Sequence, residues 1–208
     1  QMASTESYNV AIGHESFDGA GASGATGNVM IGYRTGRGDR TSTTDHNIGV
    51  GYGALSSLTS GDSNVVIGSS AGATIDETHK CVLVGRNAGT GINHTDADGS
   101  VMVGYDAGLS LTSGIGNVAV GAYALDAAST SDYNTAVGTQ ALTSVSTGDG
   151  VNVAVGRVSG YALSTGSGNT YMGASSGFYN ETGANNTYIG YSAGAGVSGN
   201  NNSGNTGV

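Results

Sequence analysis

The chain has 208 residues, including 39 Gly and no Pro or Trp, and its formal net charge is −9 with only six Lys and Arg. This charge argues against nucleic acid or an anionic membrane as the main partner, because both need a basic surface. The lack of a long apolar run predicts no membrane insertion, and the single Cys81 excludes an intrachain disulfide framework and a cysteine-based zinc cluster.

A short phrase recurs along the chain and divides it into turns of 17–19 residues. We number each turn from the position that is usually Asn, which we call slot 1. In chain order, slot 1 holds Asn9, Asn28, Asn47, Asn64, Cys81, Ser100, Asn117, Asn134, Asn152, Asn169 and Asn186. A repeat of this length predicts an all-β fold, a parallel β-solenoid (β-roll or β-helix) of eleven turns. We expect one repeat domain over residues 1–199, with 200–208 as a polar C-terminal tail or partial repeat.

The first slots of each turn predict a strand. Slot 1, as at Asn134 and Asn152, is expected to stack from turn to turn as a ladder of amides. Slot 2 is β-branched and slot 4 is apolar in every turn. Two such positions separated by one residue lie on the same face of a strand. We therefore expect slots 2 and 4 to face inward and slot 4 residues such as Val137 and Val155 to form the core.

The later slots of each turn predict a corner and a return segment. Slot 5 is Gly in all eleven turns, for example Gly138 and Gly156. An invariant Gly after a strand indicates a positive φ or a closely approaching backbone. Slot 12 is apolar in many turns, from Leu58 to Val197, which we interpret as a second, weaker strand facing the first. The remaining slots have the composition of polar turns.

The core of a single chain is predicted to be thin. Each turn offers two or three aliphatic side chains, which stabilise the fold by about 1.5–3 kcal/mol apiece when fully buried. Ordering the backbone costs about 1–2 kcal/mol for every residue of the turn. A small slot 8 and a mostly apolar slot 3 would suit close packing between parallel chains. We therefore predict a second buried face and a homotrimer.

The segments NVAVGAYAL, NTAVGTQAL, NVVIGSSAG and NTYIGYSAG resemble the repeats of two related groups of proteins. One is the head of trimeric autotransporter adhesins, a trimer of left-handed parallel β-rolls, and the other is the shaft and tip of bacteriophage tail fibres. Adhesin heads have a shorter repeat, so the 17–19-residue turns here are more similar to the phage fibres. The resemblance implies a non-enzymatic structural and receptor-binding protein of a virion tail fibre or another extracellular appendage. Its implied partners are its own copies, other fibre or tail proteins, and a cell-surface carbohydrate or protein receptor.

Three alternatives remain open beside the phage fibre. The first is a bacterial trimeric autotransporter-type adhesin head. The second is a left-handed β-helix acyltransferase, whose coil needs an aliphatic residue every six positions, whereas the positions six and twelve beyond slot 4 are mostly polar here. The third is an ice-binding solenoid, which needs Thr at one slot in turn after turn. Slot 2 holds Thr in only three turns, at Thr135, Thr170 and Thr187.

Arginine residues cluster in the long second turn, at Arg34, Arg37 and Arg40. Guanidinium groups bind carboxylate and phosphate through paired hydrogen bonds, so this cluster is a candidate contact for an anionic sugar or phosphate. Arg37-Gly38-Asp39 also spells an integrin-binding tripeptide, although three-residue motifs are common by chance. The alternative is a solvated loop.

Two aspartates of the fifth turn, Asp96 and Asp98, begin like a calcium-binding loop. The distant Glu of an EF-hand is missing, so a polar turn is the simpler interpretation. We predict no metal site and no cofactor.

Aromatic residues are concentrated near the C-terminus. Tyr171 and Tyr188 occupy slot 3 of adjacent turns and are expected to stack. Flat rings with hydroxyl tips suit carbohydrates, so this region is a candidate sugar platform, with an aromatic ladder or a trimer seam as the alternative. The candidate residues are Tyr171, Tyr179, Tyr188 and Tyr191, and Tyr33 and Tyr52 form a similar pair at slot 6 near the N-terminus.

Overall fold

The computed structural model describes residues 8–19, 24–39, 44–147, 150–199 and 201–208. It confirms the all-β parallel solenoid: each turn contributes one short strand, and the strands form one parallel sheet in sequence order. The strands are β1 (Val10–Ile12), β2 (Val29–Ile31), β3 (Ile48–Val50), β4 (Val65–Ile67), β5 (Val82–Val84), β6 (Val101–Val103), β7 (Val118–Val120), β8 (Thr135–Val137), β9 (Val153–Val155), β10 (Thr170–Met172), β11 (Thr187–Ile189) and β12 (Thr206–Gly207). A 3₁₀ helix, Thr95–Ala97, lies in the long fifth turn.

The sheet keeps the same register in all turns, so residues with the same slot number lie one above the other. Val118 pairs with Thr135, for example, and Thr135 pairs with Val153. The final strand continues this pattern, because Thr206 pairs with Thr187. The backbone N–H of Asn205 donates to the Oδ1 of Asn186 at 3.0 Å. Residues 205–208 therefore begin a twelfth turn.

The slot 5 glycines are required by the closeness of the next turn. Gly138 has φ of +135°, and a Cβ at that position would lie 2.5 Å from the carbonyl oxygen of Gly156. Slots 7 and 9 and the residue before slot 1 are also left-handed, even where they are not Gly. Tyr123, Leu125 and Tyr133 have φ of +59°, +51° and +53°. These left-handed residues bend the chain repeatedly and close each turn into a narrow coil.

The prediction that slots 2 and 4 form the core is wrong. Slot 3 points into the coil, where Leu83, Met102 and Ala136 are fully buried. The slot 4 residues Val137 and Val155 are only partly buried. Side chains alternate between the two faces of a strand, so the single middle residue of each strand faces inward and its two neighbours face outward.

The predicted second strand is also absent from the described part of the chain. The slot 12 side chains do pack inside the coil, but their backbone forms turns and bends. Val197 is the exception and is 70% exposed in the last complete turn. The buried slot 12 residues are Leu58, Ile75, Ile92, Leu111, Ala128, Val145, Leu163 and Asn180.

Slots 3 and 9 share one volume inside the coil. Where slot 3 is large, as at Met102, slot 9 is Gly, and a Cβ on Gly108 would lie 2.5 Å from the Met102 sulfur. Where slot 3 is Gly or Ala, slot 9 is usually a large residue, as Leu125 is beside Ala119. The ninth turn is the exception, because Ala154 is paired with Gly160, and a Cβ on Gly160 would lie 2.7 Å from Leu142 and 2.8 Å from Tyr171 of the neighbouring turns. Tyr171 follows the first rule, because a Cβ on Gly177 would lie 2.6 Å from its ring. The pair therefore fills the section with different side chains in different turns.

The predicted amide ladder is confirmed. The Nδ2 of Asn152 donates to the Oδ1 of Asn134 at 3.1 Å, and the backbone N–H of Asn152 donates to the same oxygen at 3.2 Å. These amides are fully buried, so the ladder satisfies polar groups that water does not reach. Cys81 and Ser100 interrupt it, since neither side chain carries an amide.

Candidate functional site

The outward slots 2 and 4 form a continuous apolar surface, which we call the aliphatic stripe. Its members are Val10, Ile12, Val29, Ile31, Ile48, Val50, Val65, Ile67, Val82, Val84, Val101, Val103, Val118, Val120, Thr135, Val137, Val153, Val155, Thr170, Met172, Thr187 and Ile189. None of them is charged, and Ile12, Met172 and Ile189 are more than 40% exposed. Aliphatic side chains stacked on a regular sheet present a flat surface that water solvates poorly.

The stripe is comparable in size to the largest apolar patch of a typical soluble chain. Strands about 4.8 Å apart and a slot 2 to slot 4 spacing of about 7 Å give a patch about 50 Å long and 10 Å wide. An apolar area of about 500 Å² is at the upper end of what single soluble chains expose. The stripe is therefore the strongest interaction surface on the described part of the chain.

A second surface lies at the N-terminal end, past the Gly corner that separates slot 4 from slot 6. Its charged centre is Glu15, whose Oε2 accepts from the Nε of Arg34 at 2.6 Å and lies 3.2 Å from the Nε of Arg37. The hydrogen bond from Arg34 lowers the pKa of Glu15, so this carboxylate stays ionised. Two guanidinium groups thus share one carboxylate, and the trio carries one net positive charge.

Aromatic rings stack beside this centre at slot 6. His14 lies over Tyr33 with ring centroids 5.6 Å apart, and Tyr33 lies over Tyr52 at 5.1 Å. The Arg34 guanidinium sits 4.9 Å from the centroid of the Tyr33 ring, a cation–π contact that holds the arginine beside the stack. We call His14, Glu15, Tyr33, Arg34, Arg37 and Tyr52 together the arginine–tyrosine patch.

An open cavity of about 310 Å³ adjoins the patch. Its walls include the ring of Tyr52 and the side chains of Arg34 and Arg37, and its floor is made by the small residues Ser70 and Ala73. Arg37 also borders a second open cavity of about 380 Å³, whose wall includes Asp18 and Asp39. Arg37 therefore separates a basic, aromatic cavity from an acidic one.

The predicted site residues fall into three groups. Arg34 and Arg37 come together on Glu15, whereas Arg40 lies outside the described residues. Tyr171 and Tyr188 stack as expected, with ring centroids 5.8 Å apart.

The stacked pair of Tyr171 and Tyr188 is buried, so its rings are not accessible to a sugar in this structure. Tyr171 is fully buried and Tyr188 nearly so, because slot 3 faces the coil interior. Burial also raises the pKa of the Tyr171 hydroxyl. These two rings act as core residues.

The other two C-terminal tyrosines stay on the surface but lie at different slots. Tyr179 occupies slot 11 and makes an edge contact with Phe178 at 4.6 Å between ring centroids. Tyr191 occupies slot 6 of the next turn and is 81% exposed. The described coordinates show no ring contact between them, so the C-terminal tyrosines do not form one platform.

The two aspartates of the fifth turn make local contacts, Asp98 with a backbone N–H and Asp96 with the His94 ring, whose Nδ1 lies 3.2 Å from the Asp96 Oδ2. The Oδ1 of Asp98 accepts the N–H of His79 at 2.7 Å, and Asp96 lies in the 3₁₀ helix with its N–H donating to the Nδ1 of His94. Within the described ranges, no three His, Cys, Asp or Glu side chains lie close enough to hold a metal ion. The same ranges contain no helix with the length and apolar character needed to cross a membrane.

Sequence reasoning missed Glu15 and placed the stripe inside the coil. Glu15 and Arg34 both occupy slot 7 of adjacent turns, so the repeat alignment itself carried a signal for their contact. The stripe gave no such signal, because slots 2, 3 and 4 are all largely apolar. Comparison of the chain with protein families, with curated proteins and with solved structures finds no significant match.

Proposed function

We propose that this chain is a structural, receptor-binding fibre protein in which three parallel copies pack their aliphatic stripes around a common axis to form a stiff rod. The observation that supports it is the stripe, which runs the length of the solenoid without a charged residue. Bacteriophage tail fibres, which the repeats resemble, are the proposed setting. The rod attaches a virion or another extracellular appendage to a receptor on a cell surface, and it needs no catalytic site.

A further copy of this chain is the best occupant of the stripe. The stripe repeats at about 4.8 Å along the axis, and a parallel copy has the same repeat over the same length. Each chain offers two rows, one from slot 2 and one from slot 4. If the slot 2 row of each chain contacts one neighbouring chain and its slot 4 row contacts the other, three chains close into a ring.

The stripe alone gives a small contact area. Three stripes would remove about 1,500 Å² of apolar footprint from water in all, or about 500 Å² at each of the three pairwise contacts, which is less than the range of about 1,200–2,000 Å² for a specific two-chain interface. The assembly would therefore depend on all three contacts together. Burial of these side chains would also stabilise a coil whose own core has only one or two large residues in each turn beside Ala and Gly. Assembly and folding are thereby coupled.

Sedimentation equilibrium of the whole protein tests this proposal. We expect the mass of three chains for the native protein and of one chain for V120E/V137E, which places two carboxylates in the stripe. The matched control, A122E/T139E, places the same two charges at slot 6 of the same turns, and we expect it to stay trimeric. A monomeric native protein, or equal masses for the two variants, would contradict the proposal.

A further inference from the structure

We propose that the cavity beside Tyr52 binds an acidic saccharide, a pyranose that carries a carboxylate, with its ring on Tyr52 and its carboxylate on Arg34 and Arg37. This inference rests on the proposed function, since it assigns a receptor chemistry to the rod. It concerns a surface separate from the stripe, so the two can be tested independently.

The stack of slot 6 rings ends at Tyr52 and leaves one of its faces open. Tyr33 covers the first face of Tyr52 at 5.1 Å between centroids. Slot 6 of the following turn is Ser69, which carries no ring to cover the second face. Tyr52 is accordingly 60% exposed. An open aromatic face above small residues is the surface on which the apolar face of a sugar ring packs.

The shelf below Tyr52 has the size and polarity for one sugar unit. Gly53, Ser70 and Ala73 line it, and Ser56 adds a second hydroxyl. The cavity of about 310 Å³ lies at the small end of ligand pockets, which span about 300–1,000 Å³. The Ser70 hydroxyl can exchange hydrogen bonds with sugar hydroxyls, and the Ser56 hydroxyl, which donates to the Ala73 oxygen at 3.1 Å, can accept one.

The two arginines select an anionic sugar. Glu15 engages each guanidinium through Nε, which is one of five N–H donors on an arginine side chain. Both side chains remain more than 40% exposed. Because one carboxylate is shared by two guanidiniums, a second carboxylate completes the charge balance and accepts charge-assisted hydrogen bonds.

The neighbouring acidic cavity sets the direction of the ligand. Asp18 lines the other cavity that Arg37 borders, and its carboxylate disfavours an anion there. The carboxylate of the sugar therefore lies on the Arg34 side of Arg37, next to Tyr52. The net charge of −9 on the chain likewise disfavours polyanions such as nucleic acids, whereas a single carboxylate needs only this local positive charge.

The test compares sugars that differ in one group. Methyl β-glucuronide and methyl β-glucoside share the pyranose ring and differ in carboxylate against hydroxymethyl, and titration calorimetry with the whole protein measures both. We expect the glucuronide, or the methyl glycoside of N-acetylneuraminic acid as a second acidic probe, to bind about tenfold more tightly than the glucoside. Equal binding of acidic and neutral sugars, or binding of neither acidic probe, would overturn the proposal.

Three variants separate the contributions of the ring and the charges. R34Q/R37Q is expected to lose the preference for the acidic sugar. Y52A is expected to lose binding of both the acidic and the neutral sugar. Y191A, which removes an exposed slot 6 tyrosine at the other end of the coil, is expected to bind sugars like the native protein. Retained acidic-sugar binding in Y52A would refute the site. The mass of the same samples distinguishes the two proposals. A trimer that binds no acidic sugar refutes only the site, and a monomer that binds one refutes only the rod.

Discussion

Replacement of one slot 5 glycine is the sharpest test of the coil. In G138A, the new Cβ would lie 2.5 Å from the oxygen and 2.6 Å from the carbonyl carbon of Gly156. Both atoms belong to the backbone of the next turn, so no side-chain rotation relieves the contact. An ordinary van der Waals contact begins near 3.4 Å, and the next turn must therefore move away by nearly 1 Å.

The expected cost of G138A is about 4 kcal/mol of unfolding free energy. A non-Gly residue in this sparsely populated backbone region costs about 1–3 kcal/mol. Displacement of the next turn also weakens the inter-turn hydrogen bonds at the corner. These include Gly156 N–H to the Val137 oxygen at 2.8 Å and Val158 N–H to the Thr139 oxygen at 2.9 Å. Each such bond contributes about 1 kcal/mol.

Gly53 supplies the matched control, because it too has a positive φ, +63°, but a Cβ there would meet no atom within 4 Å. G53A should lose only about 1–2 kcal/mol, the cost of a left-handed non-Gly residue. Urea unfolding followed by circular dichroism compares the stability of the two variants. Hydrogen exchange should be faster at the backbone amides of residues 138 and 156 in G138A than in the native protein. Equal destabilisation of G138A and G53A would refute the close stacking of slot 5 backbones.

Three further changes test the interior. M102A should destabilise the fold by about 2–5 kcal/mol. G108L alone should clash with Met102, but in the double variant M102A/G108L it should restore most of the lost stability. A double-mutant cycle of thermal unfolding measures this coupling, and additive changes in unfolding free energy would contradict a shared volume. S100N should raise the melting temperature by extending the amide ladder toward Asn117, and a lower melting temperature would show that this slot cannot hold an amide. Burial raises the pKa of the Cys81 thiol from 9.0 to about 11. Between pH 9 and about pH 11 the thiol therefore ionises in the unfolded chain but not in the folded one. The free energy of unfolding should fall with rising pH in this range by up to about 1.4 kcal/mol per pH unit. C81A should lack that component, and an unchanged pH profile would contradict it.

The repeat alone was sufficient to predict the parallel solenoid, the position of the one strand in each turn, the amide ladder and the slot 5 corners, although it also suggested a second strand that does not form. It could not decide which face of each strand lies inside. Alternation identifies two faces, but here both are apolar, as Val65, Val66 and Ile67 illustrate within β4. The inside is chosen by the curvature of the coil, which depends on left-handed residues at slots 7 and 9. Leu125 adopts that conformation without the glycine that would reveal it in the sequence.

The candidate site was only partly predictable for a similar reason. Arg34 and Arg37 were identified by their charge, but their partner Glu15 lies one full turn away in the sequence. The stacking of Tyr171 on Tyr188 follows from their shared slot, whereas their burial follows from the direction of slot 3. Residue type and slot number thus predict neighbours along the axis, and the orientation of each slot requires the three-dimensional coil.

Because slots 3 and 9 pair within single turns in most of the coil, the number of turns can change without a change in the fold. Since most turns are complete in this way and meet their neighbours through the same backbone contacts, a whole turn is a unit that a gene can lose or duplicate. Deletion of residues 118–134 would join Asn117 to Thr135 and restore the phrase Asn-Thr-Ala-Val-Gly across the junction. Recombination between such near-identical coding segments would shorten or lengthen the protein by about 4.8 Å per turn. The reach of the molecule can therefore evolve by whole turns while its cross-section stays constant.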